Sequence, residues 1–184
     1  MRKRTEIRFG GLGGQGIVLA AQVLGRGAVW EGKEVLQSQA YGAESRGSLT
    51  KSEVIISESK IGYPAVRSCD ILVVMSQEAS DALCPELKET GTIVVDSTQV
   101  KEFQTRAKVL RYPITEIARR DFGDAMYANM VMLGILIGLT GLVGVAAMEE
   151  AIAHGTPGKS TKTNIEAFRD GLQLAQNQST VQTI

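Results

Sequence analysis

The chain has 184 residues, the length of one domain with little left for a second. Twenty lysines and arginines balance twenty aspartates and glutamates, so no positive excess exists to hold nucleic acid or an anionic membrane surface. Two cysteines, Cys69 and Cys84, and one histidine, His154, cannot supply the four thiolates of an iron–sulfur cluster and have no zinc-binding spacing, so any electron-transfer metal belongs to another chain.

Met1 to Arg4 is basic but runs into Thr5-Glu6-Ile7-Arg8 without an apolar stretch, which reads as a solvated terminus and not a leader. With two unpaired thiols, the expected compartment is the cytoplasm. Thr5 to Phe9 alternates as a strand, a glycine cluster follows, and apolar residues then recur at helical spacing from Ile17 to Trp30. Val35-Leu36 and Ser52 to Ser57 read as two strands with no helical segment between them, which predicts an antiparallel pair. Asp70 to Met75 and Thr92 to Asp96 are continuous apolar runs of the kind found in strands covered on both faces. A helix is predicted over 77–89, broken or kinked at Pro85, and a further strand over Lys108 to Tyr112.

Residues 130–147 are apolar enough to raise a membrane span, but Thr140-Gly141 and Gly144 divide the run, and the reading is two buried helices, 125–139 and 145–154. Gly134, Gly138 and Gly141 line one helical face, a candidate packing or subunit seam. His154-Gly155 reads as a helix C-terminus with the glycine left-handed. Thr163 and Glu166 form a capping box ahead of a last helix. The expected fold is a three-layer α/β/α domain, Rossmann-like, with an open, mixed, mostly parallel sheet.

Five of the twenty glycines fall between residues 10 and 16. Gly11, Gly13, Gly14, Gln15 and Gly16 lie in a G-x-G-x-x-G stretch between the first strand and first helix, where backbone N–H groups can meet a phosphate or carboxylate. The acidic residue that would bind a ribose at the end of the second strand is missing, since Leu36-Gln37-Ser38-Gln39 stands there, and this demotes a dinucleotide site. In the loop Tyr41-Gly42-Ala43-Glu44-Ser45-Arg46-Gly47, Arg46 could clamp a carboxylate or phosphate, or simply pair with Glu44 at the surface; spacing does not choose. Gly158-Lys159-Ser160 follows a helix and lacks the first P-loop glycine, so a turn is expected. Asp96 at a strand end has a turn role by default or faces a ligand crevice. Asn129 is either a near-terminal helix residue or a polar group kept for a partner.

The segments FGGLGGQGIVLAA, QAYGAESRG, SEVIIS with Ile61-Gly62-Tyr63-Pro64, and NMVMLGILIGLTGLV resemble, in order and over residues 5–172, the gamma subunit of the 2-oxoacid:ferredoxin oxidoreductases. Ser48 stands where many relatives have a second glycine. The resemblance implies a complex that oxidatively decarboxylates a 2-oxoacid, transfers the acyl group to coenzyme A and reduces ferredoxin. Thiamine diphosphate, magnesium and iron–sulfur clusters would lie on companion alpha, beta and ferredoxin-like delta subunits. This chain would be a non-catalytic subunit near the coenzyme A site. On that view Gly11, Gly13, Gly14, Gln15, Gly16 and Arg46 are candidates to face an anionic group of coenzyme A or to contact a partner loop. Tyr41, Glu44, Ser45, Asn129, Gly134 and Gly138 would serve interfaces. RGSLTKSEVIISESKIGYP leans toward the 2-oxoglutarate members, over pyruvate, 2-ketoisovalerate or indolepyruvate. A stand-alone nucleotide-binding protein or dehydrogenase, or an assembly module with a purely structural glycine loop, are the readings from other classes. The isolated chain could pair with a second copy of itself.

Overall fold

Six strands form one open sheet in the computed structural model, which describes residues 4–41, 48–156 and 158–181. They are β1 (Arg4–Leu12), β2 (Glu34–Tyr41), β3 (Leu49–Ser57), β4 (Cys69–Val74), β5 (Leu87–Asp96) and β6 (Lys108–Tyr112), ordered β2-β3-β1-β4-β5-β6. β1, β4, β5 and β6 are mutually parallel, and β3 runs antiparallel to both β1 and β2. The expected mixed, mostly parallel sheet is present. β4 is buried at every residue, as its unbroken apolar run requires of a strand with cover on both faces.

The two covers are unequal. Helices α1 (Ile17–Trp30), α3 (Ile114–Phe122), α4 (Ala128–Thr140), α5 (Val145–Gly155) and α6 (Thr161–Val181) contribute to the core on one face, around Ile7, Phe9, Val54, Val73 and Val94. Among the described residues the other face has α2 (Gln77–Leu83), the 3-10 turn after it and loops carrying Val66, Val100 and Ala107, packed on Ile55, Leu72, Ile93 and Val95.

The apolar run 130–147 is interior: α4 is buried from Ala128 to Ile137, Gly141 ends it in the left-handed region (φ 60°), and α5 follows. Among the described residues no helix is long and apolar enough to cross a membrane. A Cβ at Gly134 would overlap the Phe168 carbonyl and lie 2.9 Å from the Gly171 Cα, and one at Gly138 would lie 2.6 Å from the Ala175 Cβ. Gly134 and Gly138 therefore serve a seam within the chain, between α4 and α6, which corrects their assignment to a subunit interface. Gly141 leaves that face to terminate the helix.

Other expectations are also corrected. The helix predicted over 77–89 stops at Leu83, because Pro85 enters a single 3-10 turn and the chain joins β5 at Leu87. α3 follows Pro113 directly, at the head of the last third of the chain that the sequence reads as helical without setting bounds there. Gly155 is the last residue of α5 and is not left-handed. α6 begins at Thr161, so Thr163 and Glu166 lie inside it and form no cap; Glu166 instead faces Lys162 at 3.7 Å.

Candidate functional site

The glycine stretch closes β1 and opens α1 at the carboxyl ends of the parallel strands, where ligands bind in open α/β sheets. Side-chain and main-chain bonds fix the turn. The Gln15 Oε1 accepts from the Leu12 N–H at 2.7 Å while its Nε2 donates to the Met75 carbonyl at 2.8 Å, tying the end of β1 to the residue after β4. The Gly13 N–H donates to the Ser48 carbonyl at 3.0 Å, joining the turn to the entrance of β3. Gln15 thus acts as a strut, its amide already occupied.

Gly16 stands at the N-cap of α1 with φ 71° and ψ 23°, a left-handed conformation that favours glycine. A Cβ there would overlap the Asn129 amide, whose Nδ2 donates to the Gly16 carbonyl at 3.4 Å. Asn129, 3% exposed in the first turn of α4, therefore buttresses the turn from behind. Its Oδ1 has no hydrogen-bond partner among the described residues. Asn129 is thus near-terminal, as one of its two sequence descriptions has it, and the contact its amide makes is to Gly16 of this chain.

α1 has no side-chain cap and no acid in its first turn, so its leading N–H groups and the positive end of its dipole are open to an anion. Gly14 is exposed at φ 100°, with nothing within 4 Å of where a Cβ would lie. Beside it runs a cleft of about 360 Å³ walled by Met75, Gln99, Thr115, Arg119 and Met126. Arg119 is exposed and makes no ion pair among the described residues, which leaves its guanidinium available to a phosphate or carboxylate.

Asp96 does not face this cleft. It is fully buried and accepts from the Thr115 N–H at 3.2 Å, the Thr115 hydroxyl at 2.5 Å and the Thr98 N–H at 3.0 Å, capping α3. A larger open groove of about 1020 Å³ lies between α2 and residues 101–104. Two of its polar side chains are occupied: Gln77 binds the backbone of Lys101 and Glu102, and Arg111 donates to the Val100 and Lys101 carbonyls. The glycine turn is the better site.

Arg46, Glu44 and Ser45 lie outside the described residues. Tyr41 ends β2 opposite Thr50, and Leu49 stands opposite Leu12, so both ends of that loop sit on the same side of the sheet as the glycine turn. The strand order adds a second objection to a dinucleotide site. β3 intervenes between β1 and β2, so the end of β2 is two strand spacings, about 10 Å, from β1 instead of one.

Residue patterning missed an ionic cluster. Arg8, 1% exposed, donates from Nε and Nη2 to Glu53 Oε1 at 2.9 and 2.6 Å, to the Val66 carbonyl at 3.0 Å, and from Nη1 to Glu86. Its only sequence signal is a charge on each of two paired strands at matching register. Among the described residues no three histidine, cysteine or acidic side chains gather as a metal site. Burial pushes the Cys69 thiol up to about 11 and raises Cys84 as well, which makes both poor ligands and nucleophiles.

Residues 6–174 match the family model described as pyruvate ferredoxin/flavodoxin oxidoreductase. The 2-oxoglutarate synthase subunit KorC of Methanothermobacter marburgensis is 41% identical, over 93% of this chain and 96% of that relative. KorC of Methanocaldococcus jannaschii is also 41% identical, over 96% of each. The crystal structure of the keto/oxoacid ferredoxin oxidoreductase gamma subunit from Geobacter sulfurreducens superposes with a TM-score of 0.83 at 38% identity, covering 94% of this chain and 99% of that one. A glycine turn anchored on β3, a sheet with that reversed strand inserted, and matches that run nearly end to end agree: the chain belongs to the pyruvate ferredoxin/flavodoxin oxidoreductase family, as a chain of the gamma-subunit type.

Proposed function

We propose that this chain is the non-catalytic gamma subunit of a cytoplasmic 2-oxoglutarate:ferredoxin oxidoreductase. The observation that carries the substrate is the identity of 41% to KorC chains along almost the whole length of both proteins. The complex would convert a 2-oxoacid, coenzyme A and two oxidised ferredoxins into acyl-coenzyme A, carbon dioxide, a proton and two reduced ferredoxins. Alpha, beta and ferredoxin-like delta subunits would hold the thiamine diphosphate, magnesium and iron–sulfur clusters.

The role proposed for this chain is to seat an anionic group of coenzyme A. The uncapped α1 N-terminus, the open Gly14 and Arg119, which has no ion pair among the described residues, fit one phosphate in both charge and access. Coenzyme A, when bound, supplies the thiol that takes the acyl group. Gln15 and Asn129 keep the turn in shape, and Arg46 is a candidate second cation on the neighbouring loop. A cleft of about 360 Å³ holds only part of so large a molecule, so the rest would extend onto companion subunits.

The test is reconstitution. Companion subunits purified with and without this chain are assayed for 2-oxoglutarate- and coenzyme A-dependent ferredoxin reduction. Activity that needs the chain and prefers 2-oxoglutarate over pyruvate supports the proposal. Equal activity without it, or tight NADH binding by the chain alone, contradicts it.

A further inference from the structure

The two edges of the sheet differ. β6 is five residues long, carries Lys108 and Arg111, and is followed at once by Pro113, all features that discourage further pairing. β2 has eight residues, EVLQSQAY, with no proline and a single charge, Glu34, at its start. Beyond β3, no strand of the described residues pairs with it.

The Ser38 carbonyl accepts from the Ser52 hydroxyl of β3 at 3.0 Å, so the main chain of Ser38 faces inward. Main-chain groups alternate along a strand, which turns the N–H and C=O groups of Val35, Gln37, Gln39 and Tyr41 outward to the open edge. We propose that β2 pairs antiparallel with β2 of a second copy of this chain, about a two-fold axis at Ser38, joining two six-stranded sheets into one.

That register is self-consistent. With the axis perpendicular to the sheet, helix layers stay on matching faces, so paired residues must share parity along the strand. Gln37 of one copy then stands opposite Gln39 of the other, both with outward backbone groups, and Ser38 opposite Ser38 as the non-bonded pair. Glu34 falls outside the paired centre, so no like charges meet. α1 packs over both β2 and β3, so the two copies of α1 come alongside one another above the joined edge. Gly25 faces Val35, a Cβ there lying 3.4 Å from its Cγ1, and Val29, one helical turn on and on the same side, is 54% exposed. Gly25 is itself buried against β2, so Val29 is the residue that side offers the second helix to close against.

The test uses the full chain alone. Sedimentation is expected to give a particle of twice the 19.7 kDa chain mass. In Ser38→Cys the two Cα atoms would be about 4.5 Å apart, within disulfide range. Mild oxidation should therefore cross-link most of that variant, while Val109→Cys on β6 stays uncross-linked; native Cys69 and Cys84 are buried and do not compete. Gln39→Pro, which removes only an outward donor, should weaken the dimer at least tenfold while leaving the circular dichroism spectrum and melting temperature near wild type. A monomer at all concentrations, Ser38→Cys cross-linking no faster than Val109→Cys, or a dimer indifferent to Gln39→Pro overturns the proposal. So does protection of the β2 amides only upon adding a companion subunit, which would assign the edge to a strand from another protein.

Discussion

At Gly16 a left-handed backbone and a filled neighbouring space coincide, so a single methyl group is opposed twice. Gly16→Ala should lose on the order of 2–4 kcal/mol in urea denaturation, and Asn129→Ala in the same chain should recover only the steric part. A loss below about 1 kcal/mol would mean that the turn relaxes freely. Arg8 makes the opposite case, a charge that must stay paired. Arg8→Met leaves the buried Glu53 with only Lys51, at 3.4 Å, and the Ser38 hydroxyl, and should cost about 2–4 kcal/mol, whereas Arg8→Met with Glu53→Met should regain most of it. If the double variant is no more stable than the single one, the cost lies in packing and not in the carboxylate left behind. The glycine turn was legible in the sequence because only glycine suits a tight strand-to-helix turn. The Arg8 partners were not, since nothing in a five-residue alternation reveals a carboxylate 45 positions away.

Among elements, the strands buried on both faces were the most readable. DILVVM and TIVVD are unbroken apolar runs, and burial alone dictates them. β2 is longer than its two apolar residues suggested, because its length is set by the ladder with β3 and not by burial. The bounds of α3 were not legible because it has only nine residues and its cap, Asp96, arrives from a separate strand. The glycines of α4 were read correctly as a close-packing face; what the sequence lacked was the partner, since Gly171 on α6 completes the seam from 37 residues downstream of Gly134. Gly171→Ala would press a methyl group to 2.9 Å from the Ile135 nitrogen and 3.0 Å from the Gly134 Cα. It should cost on the order of 3 kcal/mol, lowering the melting temperature by roughly 6–12 °C. An unchanged melting temperature would show that α6 shifts away at little cost.

At the scale of the molecule, burial of thiols sets an alkaline limit. Cys69 titrates near 11 in the folded chain and near 9 when unfolded, so between those values the unfolded state releases its proton first. Stability should be unaffected below pH 9 and fall as pH rises toward 11, by on the order of 2 kcal/mol from this group, with Cys69→Ala flattening part of the decline. A urea midpoint that is constant across that range would contradict the burial. The balanced charge and scarce metal ligands, visible from composition, describe a subunit whose proposed contribution is a place to hold an anion. The most direct measurement is the coenzyme A dependence of the reconstituted complex carrying Arg119→Glu, which puts a carboxylate on the exposed wall of the cleft beside the glycine turn. The account predicts a KM for coenzyme A raised by about tenfold or more, equivalent to ~1.4 kcal/mol, with the KM for 2-oxoglutarate within about twofold of wild type. An unchanged KM for coenzyme A would contradict it.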